Sequence, residues 1–406
     1  MRFLTQLKNT YLCWFVAFVF CGISCAQKTD DNQPKKIKTG ADQTELYLKF
    51  LQHKKVGVVA NQTSVIKSKE NSNNIHLVDS LLALHIDVKK VFAPEHGFRG
   101  KADAGELVKN GKDSKTGLPI ISLYGKNKKP TTQQLQNLDV IIFDIQDVGA
   151  RFYTYISTLH YVMEACAEQN ISVIVLDRPN PNGHYIDGPV LQEKNKSFVG
   201  MHKVPVVYGM TIGEYAKMIN GESWLQNNIK CNLTVIPIDN YTHNTNYDLP
   251  IKPSPNLPNA TSINLYPILC FFEGTTVSVG RGTTMQFQIF GHPDFDPKQF
   301  NFSFTPKPNE GAKYPKHENK VCYGKDLRTA NQLNTIDLEW LIIAYKAYKK
   351  SKSTTPFFNS FFTKLAGTEK LQQQIENGLS TEEIKESWKD DINTFKKIRQ
   401  QYLIYE

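Results

Sequence analysis

Three apolar segments that each end on acidic residues constrain the fold of this chain most. They are VKKVFAPEHG, DVIIFDIQDVG and SVIVLDRPNPNG, at residues 88–97, 139–149 and 172–183. Segments this apolar are typical of strands that a parallel sheet buries on both faces. The carboxyl ends of such strands share one edge, where open α/β sheets bind their ligands. The sequence therefore predicts a site as well as a scaffold.

Strands and helices alternate through the first part of the chain, which predicts an α/β fold with a Rossmann-like, doubly wound parallel sheet. Predicted strands cover residues 55–64, 88–93, 119–124, 140–145, 173–176 and 233–238, and predicted helices cover 75–86, 131–138, 153–169 and 212–219. No GxGxxG motif follows the first strand and no Walker loop occurs, so the usual signatures of nucleotide binding are missing. Short β-like runs and two helical segments follow residue 285, which predicts a smaller α+β C-terminal domain.

The N-terminal residues are typical of an export signal. Arg2 and Lys8 precede the apolar run 11–23, which is short for a membrane-spanning helix. Its end allows two interpretations: a lipobox that makes Cys25 a lipid anchor, or cleavage after Ala26. We favour the lipoprotein form and predict an exported protein, periplasmic or membrane-anchored.

The chain of 406 residues is too long for one compact core. We therefore predict a signal peptide at residues 1–25, a tether at 26–45, a Rossmann-like catalytic domain at 46–284 and an auxiliary α+β domain at 285–406.

The charge and the cysteines narrow the class of protein. The formal charge is +9, or +7 without Arg2 and Lys8, and the lysines are scattered rather than interleaved with aromatic residues. This pattern suits an anionic substrate or an anionic surface and argues against nucleic acid as a partner. Of the seven cysteines, the four that follow Cys25 lack the spacing of a zinc or redox site; they are Cys166, Cys231, Cys270 and Cys322. We expect Cys166 and Cys270 to be buried thiols, although export would allow a disulfide.

Glu95 and His96 are the first catalytic candidates. They follow Pro94, which cannot donate a hydrogen bond to the sheet and so ends the strand. Cleavage of a glycosidic bond needs a carboxylic acid that protonates the leaving oxygen, and Glu95 is the best candidate for it. His96 could instead donate the proton or orient Glu95. The plainer alternative is that both residues only cap the next turn.

Asp144 is the third catalytic candidate, because a carboxylate inside an apolar run must be paired or functional. Arg151 is its predicted partner if the role is structural. Asp147 follows closely, and Tyr155 could stack on a sugar or simply begin a helix.

Polar residues on the neighbouring loops complete the predicted site. The candidates for substrate binding are Asn61, Arg99, Asp147, Arg151, Tyr155, Asp177, Asn180, Glu273 and Arg281. Asp177 and Asn180 belong to a loop that two prolines stiffen, and Glu273 and Arg281 lie on glycine-rich loops. Asp103 and Glu106 could approach the same edge from a further loop. We predict no metal and no cofactor.

A set of motifs makes the chain similar to one known family. The motifs are APEHGFRG, DVIIFDIQDVGARFYTYISTL, LDRPNPNG, DGPVL, PVVYGMTIGEYAKMINGE, PSPNLPN and FFEGTTVSVGRGTT, which begin at residues 93, 139, 176, 187, 205, 253 and 271. In this order they resemble the DUF1343 family, which is associated with exo-acting β-N-acetylmuramidases of the NamZ type.

The resemblance implies a Rossmann-like domain, a smaller auxiliary domain and a cleft between them. It also implies an exo-acting glycoside hydrolase that releases N-acetylmuramic acid from the non-reducing ends of peptidoglycan fragments. One of Arg99, Arg151 and Arg281 could then pair with the lactyl carboxylate of that sugar. The alternatives are a non-catalytic periplasmic sugar-binding protein and a general exo-β-N-acetylhexosaminidase. The second catalytic group stays open between Asp144, Asp147 and Glu273.

Overall fold

The computed structural model describes residues 36–67, 74–99, 110–351 and 353–406. The predicted signal peptide, with Cys25, and the loop residues Asp103 and Glu106 lie outside these ranges. Among the described residues, no helix is both long and apolar enough to cross a membrane.

In the described part of the chain, the central sheet has seven strands, and all but one run parallel. Its strands are β1 (Val56–Ala60), β4 (Val88–Ala93), β5 (Gly111–Lys112), β6 (Pro119–Ser122), β7 (Val140–Asp144), β8 (Ser172–Leu176) and β9 (Leu233–Ile236). They lie in the order β5-β6-β4-β1-β7-β8-β9, with β5 antiparallel at the edge. Counted along the chain, the parallel strands have the Rossmann order 3-2-1-4-5-6. The predicted fold class is therefore confirmed.

Two smaller sheets and a series of helices complete the structure. A hairpin pairs β2 (Val65–Lys67) with β3 (Asn74–His76), and a three-stranded antiparallel sheet contains β10 (Ile289–His292), β11 (Phe302–Phe304) and β12 (Cys322–Asp326). The helices are α1 (Thr44–Tyr47), α2 (Leu77–Ala83), α3 (Thr132–Leu135), α4 (Tyr155–Glu168), α5 (Ile212–Gly221), α6 (Ala260–Leu269), α7 (Glu339–Lys350), α8 (Ser360–Ala366), α9 (Lys370–Glu376), α10 (Thr381–Glu386) and α11 (Lys389–Gln400). Short 3₁₀ helices cover Leu48–Phe50, Glu193–Asn195, Gln226–Asn228 and Cys270–Gly274.

Successive side chains along each strand point to opposite faces of the central sheet, and each face packs into its own hydrophobic core. Val58 and Ile142 pack with α1 and α2 on one face. Val59 and Phe143 pack with α4 and α5 on the other face. The sheet is thus covered on both sides, as a doubly wound fold requires.

The C-terminal region does not build a large core of its own. Its helices contribute Phe362 and Phe395 to the core that also contains Val59, and residues 37–406 form one compact unit. This differs from the two lobes that we predicted on either side of residue 285. The reason is that α4 buries residues around almost its whole circumference, so it needs the C-terminal helices as cover.

The end of the predicted tether is also part of the fold. Lys38 forms an antiparallel bridge with Asp239, and α1 begins at Thr44. Residues 38–45 therefore belong to the folded structure and not to the predicted tether.

Candidate active site

A cleft of about 280 Å³ lies beside the carboxyl end of β4. The turn after β4, the start of α4, α6 with the 3₁₀ helix after it, and α8 all contribute to its walls. The lining residues are Glu95, His96, Tyr124, Phe152, Tyr153, Thr154, Phe198, Val199, Ser254, Asn256, Leu257, Tyr266, Cys270, Glu273, Arg281, Phe287, Phe361 and Leu365. The cleft thus combines two carboxyl groups and one guanidinium with a mainly aromatic wall.

Glu95 is the half-buried carboxylate at the end of β4. The Thr154 hydroxyl, one residue before α4, donates a hydrogen bond of 2.8 Å to Glu95 Oε2. Pro94 ends the strand as predicted, and the Gly97 N–H donates to the Pro94 carbonyl at 3.0 Å. The carboxylate is therefore held in a fixed place at the cleft, which is what a proton donor to a bound substrate requires.

His96 lies in the same turn and is buried, with 4% of its surface exposed. Its φ of 70° is in the left-handed region, as is the φ of 75° at Gly97. A residue other than glycine in this region costs about 1–3 kcal/mol, although histidine adopts it more readily than most residues. The turn aims the Glu95 and His96 side chains at the cleft, so the structure brings this predicted pair together.

Glu273 and Arg281 face the cleft from the C-terminal side. The Arg281 guanidinium lies 3.6 Å from Glu273 Oε2 and donates a hydrogen bond of 3.3 Å to the Gly311 carbonyl. Both side chains are about one-fifth exposed. Of the three arginines that we predicted as partners of an anionic substrate, Arg281 is the one that lines the cleft.

Arg99 and Arg151 lie outside it. Arg99 forms a two-bond pair with Asp113, at 3.2 and 2.8 Å. Arg151 is fully buried and donates to the carbonyls of Pro189, Val204, Leu365 and Ala366 at 2.7–2.9 Å. Burial lowers the pKa of Arg151 to about 9. Its role is to join the loop regions to α8.

The predicted catalytic role of Asp144 does not fit its position, because this residue is paired and fully buried. Both carboxylate oxygens accept hydrogen bonds from Arg178, at 2.6 and 2.9 Å. The partner that we expected, Arg151, is engaged elsewhere. Burial opposes the charge of Arg178, yet the Asp144 carboxylate keeps the pKa of this arginine above its ordinary value. The pair is structural.

Asp147 and Asp177 are also buried beneath this edge of the sheet rather than in the cleft. Asp147 accepts hydrogen bonds from the Gly149 N–H, at 2.7 Å, and from the Tyr208 hydroxyl. Asp177 accepts from Thr211, Gly213, Arg178 and Tyr405 at 2.7–2.9 Å. Burial raises the pKa of Asp147 to about 6 and that of Asp177 to about 7.

Asn61, Tyr155 and Asn180 are buried parts of the scaffold. Asn61 donates to the Tyr155 hydroxyl at 2.8 Å, and Asn180 donates to the Met210 carbonyl at 2.8 Å. Tyr155 begins α4 and is 1% exposed. The plainer of its two predicted roles is therefore the one that the structure shows.

Several residues that line the cleft were not predicted as site residues from the sequence. Tyr266 meets the rings of Phe152, Tyr153 and Phe287 at centroid distances of 5.1–5.7 Å. Burial raises the pKa of Tyr266, and Cys270, Glu95 and Glu273 add to this shift, so the hydroxyl stays protonated. Thr154 and Phe361 were missed as well. The only sequence signal for this aromatic wall was the FYTY run at residues 152–155, just before and at the start of α4.

The four cysteines among the described residues, Cys166, Cys231, Cys270 and Cys322, are buried free thiols, as we expected for Cys166 and Cys270. Within the described ranges, no group of three histidine, cysteine or acidic side chains could hold a metal ion.

Comparisons with known proteins agree on one family. The family models described as "Exo-beta-N-acetylmuramidase NamZ", N-terminal and C-terminal, match residues 56–261 and 264–405. The peptidoglycan beta-N-acetylmuramidase NamZ of Bacillus subtilis (strain 168) is 37% identical over 98% of this chain and 98% of its own.

Two crystal structures of DUF1343 family proteins from Bacteroides fragilis NCTC 9343 have the same fold. They are 45% and 29% identical to this chain, with TM-scores of 0.82 and 0.78. Each match covers 91% of this chain and 99% of the other. The two family models meet near residue 262, whereas the predicted domain boundary lies at residues 284 and 285.

Proposed function

The chain belongs to the NamZ family of exo-β-N-acetylmuramidases, and we propose that it releases N-acetylmuramic acid from the non-reducing ends of peptidoglycan fragments in the cleft beside β4. The observation that carries this proposal is the meeting of Glu95, Glu273 and Arg281 in one cleft. The family supplies the reaction class, a glycoside hydrolase, and the cleft supplies the groups that such a reaction needs.

Glu95 acts as the general acid. A glycoside hydrolase needs a carboxylic acid beside the leaving oxygen, and the Thr154 hydrogen bond holds Glu95 at the cleft. Glu273 is the second carboxyl group of the reaction, because Asp144 and Asp147 are buried outside the cleft. His96 orients Glu95 through the strained turn that they share.

Arg281 recognises the lactyl carboxylate, the group that distinguishes N-acetylmuramic acid from N-acetylglucosamine. A guanidinium can bind a carboxylate through two parallel hydrogen bonds. The separation of 3.6 Å between the Arg281 guanidinium and Glu273 Oε2 is longer than a charge-assisted hydrogen bond. The aromatic wall around Tyr266 would contact the sugar ring.

The substrate is tested with nitrophenyl β-glycosides of the two sugars. We expect hydrolysis of the muramide and little hydrolysis of the N-acetylglucosaminide. Comparable rates on both would make the enzyme a general exo-β-N-acetylhexosaminidase, and no hydrolysis of either would leave the sugar-binding protein as the alternative.

Exo action is tested on a murein oligosaccharide of defined length. Single N-acetylmuramic acid units should appear first in a time course. Mid-length fragments at early time points would show a cleft that is open at both ends.

The cellular location is a further part of the proposal. The apolar run 11–23 and Cys25 support export, with a lipid on Cys25 as the link to the membrane. Labelling with a radioactive fatty acid should mark the chain and should fail for Cys25→Ser. A labelled Cys25→Ser variant would contradict the anchor.

A further inference from the structure

The backbone around Glu273 folds so that its carbonyl groups converge on one point. Lys316 Nζ lies 3.0 Å from the Phe272 carbonyl, 3.1 Å from that of Glu273, 2.8 Å from that of Thr275 and 3.4 Å from that of Val277. An ammonium group has three N–H donors, so the four carbonyls share them. The ammonium thus lies at the centre of the turn that carries Glu273.

The remaining carbonyls of this turn are bound as well. His317 Nε2 donates to the Thr276 carbonyl at 2.7 Å, and the Asn359 N–H donates to the Gly274 carbonyl at 2.9 Å. Every carbonyl from residue 272 to residue 277 therefore has a partner, and two neighbours in the chain, Lys316 and His317, bind five of the six.

A cation is what makes this backbone arrangement stable. Carbonyl oxygens that point at a common centre repel one another, and each costs about 1–3 kcal/mol if it is left buried without a donor. A lysine near a helix end commonly satisfies the last carbonyls in this way. Burial lowers the pKa of Lys316, and the nearby charge of Glu273 acts in the opposite direction.

The segment that carries Lys316 also supports the other charged group of the cleft. The Gly311 carbonyl accepts hydrogen bonds from Asn256, at 2.7 Å, and from Arg281, at 3.3 Å. Pro315 packs against Gly282, where an added Cβ would come within 2.7 Å of it. Residues 311–317 thus support Arg281 and Glu273 from behind, and Lys316 is the contact that reaches Glu273.

We propose that Lys316 is a positioning residue, whose ammonium holds the 272–277 turn in the conformation that aims Glu273 into the cleft. This inference rests on the proposed role of Glu273 as the second carboxyl group. Lys316 acts through Glu273, so its loss should change turnover more than substrate binding.

The first test is Lys316→Met, which keeps an unbranched apolar stem of similar length and removes the ammonium group. We expect kcat on a murein disaccharide to fall about 10²-fold, since a misplacement of about 1 Å has this effect, while KM changes less than about threefold. The matched control is Lys385→Met. Lys385 also binds several acceptors, namely Asp187 Oδ2 at 2.9 Å and the Thr335 hydroxyl, but it lies outside the cleft. This control should lower the thermal midpoint without lowering kcat.

The second test is a double-mutant cycle with Glu273→Gln. If Lys316 acts through Glu273, the double variant should be no more than about twofold slower than Glu273→Gln alone. Losses that multiply would overturn the positioning role while leaving Glu273 in the mechanism. Full activity of Glu273→Gln would remove Glu273 from the proposed function, and the role of Lys316 would fall with it.

If Lys316→Met does not fold, Lys316→Arg takes its place in both tests. It keeps the charge, but a planar guanidinium cannot direct its donors to four convergent carbonyls. We expect a folded protein with a smaller loss of kcat than the methionine variant would show. Wild-type kcat in a folded Lys316→Arg protein would overturn the inference.

Discussion

The cleft beside β4 and the buried network beneath the ends of β7 and β8 both carry acids at the same edge of one sheet. In the cleft, Glu95 is half-buried and holds a hydrogen bond from a neutral hydroxyl. In the network, Asp144 shares two hydrogen bonds with Arg178, and Asp177 accepts four. An acid at a strand end is thus available for chemistry only where the surrounding structure leaves its charge exposed to a ligand.

The buried network beneath the ends of β7 and β8 explains why the cleft does not lie where sheets of this type usually bind their ligands. Open sheets with this strand order bind ligands where the order reverses, here between β1 and β7. In this protein that crevice holds the Asp144–Arg178 pair and the Asn61–Tyr155 hydrogen bond. Tyr405, next to the C-terminal residue, also donates a hydrogen bond to Asp177. The site beside β4 is open instead.

A change at Glu95, in the cleft, should reduce activity more than any other substitution considered. Glu95→Gln should keep its thermal midpoint and lose about 10²–10⁴-fold in turnover of a murein disaccharide, because the leaving oxygen is no longer protonated. A nitrophenyl glycoside, with its better leaving group, should lose less. Glu386→Gln, on the exposed face of α10, is the control. Equal losses on both substrates would assign Glu95 to binding or orientation.

Asp144→Asn should show the opposite pattern. It leaves Arg178 buried without its counter-charge, and breaking a buried pair costs about 3–5 kcal/mol. Urea unfolding should show this loss of stability, while the folded fraction keeps its turnover. If Asp144→Asn were stable but inactive, Asp144 would have a catalytic role after all.

The raised pKa of Asp147 should make the stability of the protein depend on pH. Burial raises the pKa of this carboxyl from 3.8 to about 6 in the folded protein. The neutral acid is therefore favoured by folding, and its contribution, present below pH 4, is lost as the pH rises through 6. Relative to wild type, Asp147→Asn should gain about 2–3 kcal/mol of unfolding free energy between pH 4 and pH 7. Urea midpoints across this range measure the difference, and parallel curves would contradict the assignment.

A change at Arg281 should alter the choice of substrate by a more modest factor. Arg281→Met should lower the preference for the muramide over the N-acetylglucosaminide by about 10–100-fold, since one charge-assisted contact is lost. The ratio of kcat/KM for the two glycosides measures this preference. Arg328→Met serves as the control, because Arg328 pairs with Asp326 on the surface. If the ratio were unchanged in Arg281→Met, a group other than Arg281 would bind the lactyl carboxylate.

Local pattern was enough to predict the six parallel strands of the central sheet, although not the antiparallel edge strand β5. The predicted strand 88–93 is β4 to the residue, and the predicted helix 153–169 differs from α4 by two residues at one end and one at the other. Apolar runs and a proline at position 94 act within a few residues, so they can be read along the chain. The pair Glu95 and His96, at the end of such a run, was found for the same reason.

The apolar runs and motifs were thus enough to predict the fold class, the family and a glutamate that lines the cleft at the end of β4. Which other charges pair, and which of them face the cleft, depends on the packing of distant segments. Arg151 is seven residues from Asp144 and looked like its partner, yet Arg178, 34 residues away, fills that place. Lys316 carries no motif, and its role depends on carbonyls about 40 residues earlier in the chain. Pairing energies depend on distance and burial in space, and separation along the chain indicates neither.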